Sequence, residues 1–152
     1  MSAYRTVVVG TDGSESSLRA VARAGTLAGA CGARLVVTCA YLPVEPHERE
    51  LERARAVLGE DAHQVLGPAP AEDKVRAAAE RAVAGGAGDV RTVAVAGAPV
   101  EALMQVVRES GADLLVVGNR GLRGITGRLL GSVPAEATRR STVDVLVVHT
   151  TD

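Results

Sequence analysis

Two stretches of this sequence carry the residue types from which a sugar or phosphate site is built. The first is Val9-Gly10-Thr11-Asp12-Gly13-Ser14, an apolar run that ends in glycine and then a carboxylate. The second opens at Val117-Gly118-Asn119-Arg120-Gly121 and, nine residues later, reaches Gly131-Ser132. A carboxylate suits ribose hydroxyls. Glycines let backbone N–H groups approach an anion closely. A helix beginning near Ser132 would add its own N–H groups, its macrodipole and a hydroxyl. Gly118, Gly121, Gly124, Gly127 and Gly131 recur through this segment, and Arg120, Arg123 and Arg128 with no acid give it a charge of +3 in a chain of net −1. Two plainer readings stay open. Asp-Gly-Ser is also ordinary turn chemistry, and the second stretch can be a loop with solvated arginines.

These residues need a frame to hold them. Tyr4–Val9, Leu35–Ala40, Val90–Val95, Leu114–Val117 and Val143–Val148 are short apolar runs and read as strands. Between them lie segments with helical spacing. Leu18, Val21, Ala22, Gly25 and Ala28 form one face, behind N-cap candidates at Ser14–Ser17 and ahead of Gly29 and Gly32 as terminators. Glu48–Leu58 is expected to be helical, as is Glu72–Ala84, with Gly67-Pro68-Ala69-Pro70 breaking any helix between them. Tyr41–His47 reads as a loop. Pro99 opens a helix striped by Val100, Leu103, Met104 and Val107 and capped by Gly111, and Ser132–Arg140 is the last helix. Continuous apolar strands alternating with helices predict a doubly wound α/β fold: a five-stranded parallel sheet, order 3-2-1-4-5, with helices on both faces. Ligands of such sheets bind at the carboxyl ends of strands, where the strand order reverses. The first and fourth strands both end in glycine, so Asp12 and the Gly118 loop are expected to share one crevice.

Composition narrows the function. The chain has 152 residues, one domain's worth, with 47% hydrophobic residues and 23% charged. It has no Phe or Trp and two Tyr, which leaves an aliphatic core and nothing for bases to stack on; nucleic acid is not an expected partner. No run of about 18 apolar residues exists, and no signal peptide fits before Thr6, so a cytoplasmic protein without a membrane partner is expected. Lys74 is the single lysine and no Gly-Lys-Ser/Thr occurs, which removes a Walker P-loop. It also argues against a phosphoacceptor role for Asp12 in a receiver-like fold. Cys31 and Cys39 are too few for a disulfide scaffold or closed zinc site, and Cys39 reads as a buried inert thiol. His47, His63 and His149 have no metal-ligand spacing. No catalytic set is evident around Ser132, so any hydrolysis should be slow.

The spacing Gly118-x2-Gly121-x9-Gly131-Ser132, the opening Val7–Ser14, and the Ala112–Gly118 and Val143–Val148 runs resemble the ATP-binding class of the universal stress protein family. The resemblance spans essentially the whole chain and departs in Gly59–Pro70. The Met1–Tyr4 start, Arg128–Pro134 and the Val145–Thr151 tail are similar to an actinobacterial branch associated with cyclic AMP binding as well as ATP. Arg120 departs from that branch, where an apolar residue is expected. The resemblance implies ATP or cyclic AMP as ligand, with magnesium able to accompany ATP, and a stress or regulatory role as sensor or nucleotide sink. It implies that Asp12, beside Gly10 and Thr11, holds the ribose, and that the backbone of Cys39 and Ala40 meets the adenine edge. Gly118 would lie under the ribose, and Gly121, Gly131, Ser132 and Val133 would cradle phosphates, with Asn119, Arg120 and Arg128 lining the loop. It further implies a homodimer through the last strand. The alternatives are a slow ATP hydrolase and a dimeric scaffold without nucleotide.

Overall fold

The computed structural model describes residues 2–43, 67–120 and 131–151. In chain order the elements are β1 (Thr6–Gly10), α1 (Glu15–Cys31), β2 (Arg34–Tyr41), α2 (Pro68–Gly85), β3 (Asp89–Ala96), α3 (Pro99–Ser110), β4 (Leu114–Gly118), α4 (Ser132–Arg140) and β5 (Asp144–Val148). The strands form one sheet in the order β3-β2-β1-β4-β5, and every pairing is parallel. The expected helix at Glu48–Leu58 lies outside the described residues.

The strands are apolar on both faces because each face is covered. Val7 and Val9 of β1, with Leu35, Val37, Leu114 and Val116, pack under α1 and α2. Val8, Val36, Leu115 and Val117 point the other way, under α3 and α4. In place of aromatic rings the core uses small residues and close helix contact. A Cβ on Gly25 would run into the carbonyl of Ala82, and one on Gly29 into the carbonyl of Gly86. Gly29 therefore does not end α1, as its type had implied. It lies inside the helix where α1 crosses the end of α2, and Gly32 is the C-cap, in left-handed backbone at φ 63°.

Pro68 and Pro70 also correct the sequence reading. They open α2 rather than break it, since the first-turn N–H groups of a helix have no intrahelical partner to lose. Strand ends shift by one or two residues: β1 starts at Thr6 rather than Tyr4, β2 includes Tyr41, and β5 starts at Asp144. The lower ends of β1 and β4 are stapled by Asp113, whose carboxylate accepts the N–H groups of Arg5 and Thr6 at 3.0–3.2 Å. Among the described residues no helix is long and apolar enough to cross a membrane.

Candidate functional site

β1 pairs with β2 on one side and β4 on the other, so the strand order reverses between β1 and β4. Their carboxyl ends, Gly10-Thr11-Asp12 and Gly118-Asn119-Arg120, lie side by side there. The juxtaposition expected of Asp12 and Gly118 is thus present. Gly121 and Arg128, together with Arg123, Gly124 and Gly127, lie outside the described residues.

The turn after β1 is locked from within. The Gly13 N–H donates to Thr11 Oγ1 at 3.0 Å and the Ser14 N–H to Asp12 Oδ1 at 2.9 Å. The Ser17 hydroxyl donates to the Ser14 carbonyl at 2.9 Å, which leaves the Thr11 hydroxyl to donate to Ser17 Oγ at 2.8 Å. The Thr11 N–H goes to the Thr38 carbonyl. Thr11 is buried with its hydroxyl and its N–H both engaged, so it shapes the turn rather than offering a free donor. Asp12 caps its own turn through Oδ1, and its second carboxylate oxygen has no partner among the described residues. The two sequence readings of Asp12, turn residue and ligand carboxylate, are compatible in one side chain.

β2 runs three residues beyond the register of β1, which ends at Gly10↔Thr38. Backbone groups alternate sides along a strand. The Thr38 carbonyl points to β1, where it takes the Thr11 N–H, and the Tyr41 carbonyl points to β3, where it takes the Gly97 N–H. The backbone of Ala40 therefore faces the crevice above β1, and that of Cys39 faces β3. Of the two residues implied for an adenine edge, the geometry suits Ala40. The thiol of Cys39 is buried in the core under α1 and α2. Burial, with a smaller contribution from the Asp12 carboxylate, pushes its pKa to about 11 against the pull of the Lys74 ammonium.

Across the crevice, Gly118 ends β4. A Cβ there would make ordinary contact with Thr150 at 3.4 Å, so packing within the chain does not require glycine at this position. Asn119 fastens three segments together. Its N–H donates to Val148 and its carbonyl accepts the Gly131 N–H, both at 2.9 Å. Its side-chain oxygen accepts from Thr150, and its side-chain nitrogen reaches Thr151 Oγ1 at 3.2 Å and His149 Nδ1 at 3.4 Å. The side chain of Asn119 is thus spent on the tail after β5 and positions the loop. Arg120 is half-buried, and its Nε has no partner among the described residues.

Gly131 is the N-cap of α4, with φ −64° and no side-chain capping bond. Its backbone is not left-handed, so its conformation does not itself require glycine. Its N–H is engaged by Asn119. The next N–H groups, of Ser132 and Val133, precede Pro134, which has none, and the Ala135 N–H closes onto the Gly131 carbonyl. The Ser132 and Val133 amides, which have no partner among the described residues, and the Ser132 hydroxyl remain at this end of the crevice.

The sequence reading missed two residues of this region. Lys74 of α2 reaches over to the Asp12 turn, donating from Nζ to the Asp12 carbonyl at 3.1 Å. Its being the single lysine was the only available signal. Thr150, which is 3% exposed, anchors the tail to Asn119, to Ser16 and to the Arg19 guanidinium, and nothing in its local sequence marks that role.

Comparison with known proteins agrees with this fold. The universal stress protein family profile matches residues 3–149. Universal stress protein Rv1636 of Mycobacterium tuberculosis is 54% identical over 99% of this chain and 100% of its own length. A universal stress protein from Thermus aquaticus is 32% identical over 96% of this chain and 99% of its own. The crystal structure of a universal stress protein in complex with cAMP superposes with a TM-score of 0.74 at 50% identity, covering 99% of this chain and 100% of that one. With its sheet order, its glycine-ended strands and these relatives in agreement, the chain belongs to the universal stress protein family.

Proposed function

We propose that this protein binds an adenine nucleotide, ATP or cyclic AMP, in the crevice between β1 and β4, and acts as a sensor or sink rather than a fast enzyme. The observation that carries the reading is the pair of α4 amides at Ser132 and Val133, without partners among the described residues, on the opposite side of the crevice from the open carboxylate oxygen of Asp12. An anion is stabilised at such a helix start, and a ribose between the two would use the carboxylate. The 50%-identical relative crystallised with cAMP supports the choice of an adenine nucleotide. Magnesium accompanying ATP would be held at least in part by the nucleotide's own phosphates. Equilibrium titration with ATP and cyclic AMP, alongside a turnover assay, tests the reading. Saturable binding with little hydrolysis is the expected result. Rapid turnover would favour an ATP hydrolase, and no binding a scaffold.

The same reading includes a cytoplasmic homodimer of this single-domain chain, joined through β5. That strand is a sheet edge, its central Leu146 is 36% exposed, and Asp144 is its only charge. Such an edge invites pairing unless covered, and a second copy covers it by two-fold symmetry. Light scattering at tens of micromolar, above the roughly micromolar dissociation constant of a specific dimer, should give twice the monomer mass.

A further inference from the structure

Lys74 is the one lysine in a chain with 17 Lys and Arg together. Its ammonium lies 3.1 Å from the backbone carbonyl of Asp12. Its stem lies over Gly13, where a Cβ would come within 2.9 Å of Lys74 Cδ, and Gly13 itself has φ +85°. No carboxylate pairs with Lys74 among the described residues, although Asp12 carries one on the same turn. That carboxylate accepts from Ser14 through Oδ1 alone.

This division of partners has a physical reason. An ammonium is a compact donor that a single carbonyl can hold, whereas a guanidinium presents a planar fork that matches a carboxylate at two points. In a chain that otherwise uses arginine, a lysine here grips the turn by its backbone and leaves the carboxylate open. We propose that Lys74 is a positioning residue for Asp12: ammonium on the Asp12 carbonyl and stem over Gly13 hold the turn so that the free carboxylate oxygen meets the ribose hydroxyls of a bound nucleotide. The proposal rests on the nucleotide reading of the crevice and adds to it a residue from α2, outside both glycine-ended loops.

Lys74→Met tests it, since the thioether stem still covers Gly13 while the charge and the donor are lost. Two measurements are made. Amide hydrogen exchange at Gly13 and Ser14, in protein without ligand, reads the grip on the turn and should be faster in the variant. Calorimetry with ATP and with 2′,3′-dideoxy-ATP reads the link to ribose. ATP affinity should fall roughly three- to tenfold, the worth of one hydrogen bond, while the dideoxy analogue, lacking both hydroxyls, should bind the variant and the parent alike. Unchanged exchange at Gly13 and Ser14 overturns the proposal whether or not a nucleotide binds. An equal loss for both ligands overturns the link to ribose. A parent protein that binds neither ligand overturns the nucleotide reading itself, and the ribose role with it.

Discussion

Thr150 places both its backbone N–H and its hydroxyl on the side-chain oxygen of Asn119, each at 2.9 Å. Asn119 opens the loop after β4, and Thr150 follows β5. The pair ties the loop that would hold phosphate to the tail of the strand that would hold a second copy. Since Thr150 is buried, Asn119→Ala leaves its amide without a partner and its hydroxyl with Ser16 alone. The expected cost is about 1–3 kcal/mol, a fall in Tm of roughly 2–4 °C per kcal/mol for a domain of this size. Calorimetric melting gives the loss, and faster amide exchange at Thr150 and Gly131 would place it at this junction.

Asp12→Asn keeps the acceptor for the Ser14 N–H, and so the turn, but removes the charge. Affinity for ATP should fall more than affinity for cyclic AMP. Cyclisation has already removed the free 3′-hydroxyl, so the cyclic ligand has one fewer hydrogen bond to lose at the carboxylate. Titration of the variant with both ligands checks this. An equal loss would mean that the carboxylate does not reach the ribose hydroxyls.

Arg120→Leu should move preference toward cyclic AMP. The guanidinium at the β4 end attracts the more highly charged ATP more strongly, and that attraction is screened by salt. The ratio of ATP to cyclic AMP affinity should fall in the variant, and its dependence on salt should weaken. Binding measured at two salt concentrations for each ligand reads both effects.

Acid stability should depend on Asp113. Burial pushes its carboxyl up, but the backbone N–H groups of Thr6 and Arg5 prevail and hold it below the ordinary range. A carboxyl lowered in the folded state adds stability at pH above its unfolded value, and that contribution is lost as pH falls through the folded value. Asp89, beside Arg34, and Glu101, beside Arg140, are lowered as well. Melting temperature should hold down to about pH 4, the ordinary carboxylate range, and then drop. Asp113→Asn should melt lower near neutral pH and flatten that drop.

Much of this architecture was legible from residue pattern. Runs such as Val7-Val8-Val9 and Leu114–Val117 read as buried strands because both sheet faces are covered, and glycine at two strand ends located the crevice. What could not be read depends on distant partners. Pro68 and Pro70 look like breakers until the helix that starts on them is seen. Gly29 looks like a terminator because its type does not reveal that α2 passes close to it. Cys39 and Ala40 are equivalent in sequence, and only the register of β2 against β1 and β3 gives them different sides. Asn119 suited a ligand contact by type, yet Thr150, far along the chain, takes its side chain. Lys74 comes from a helix that no loop motif includes.

The most direct test of the nucleotide site is calorimetric titration of folded Gly131→Val with ATP, set against the parent protein. Gly131 has ordinary backbone at φ −64°, so valine brings no left-handed strain, and any effect on binding comes from the space its side chain takes beside the Ser132 and Val133 amides. Ser132→Ala, which removes one hydroxyl, is the milder companion, losing at most about 1.5–3 kcal/mol. The account predicts that the parent binds ATP and that Gly131→Val, with parent-like circular dichroism, does not. Undiminished ATP affinity in folded Gly131→Val would contradict it and remove the α4 N-terminus from the site.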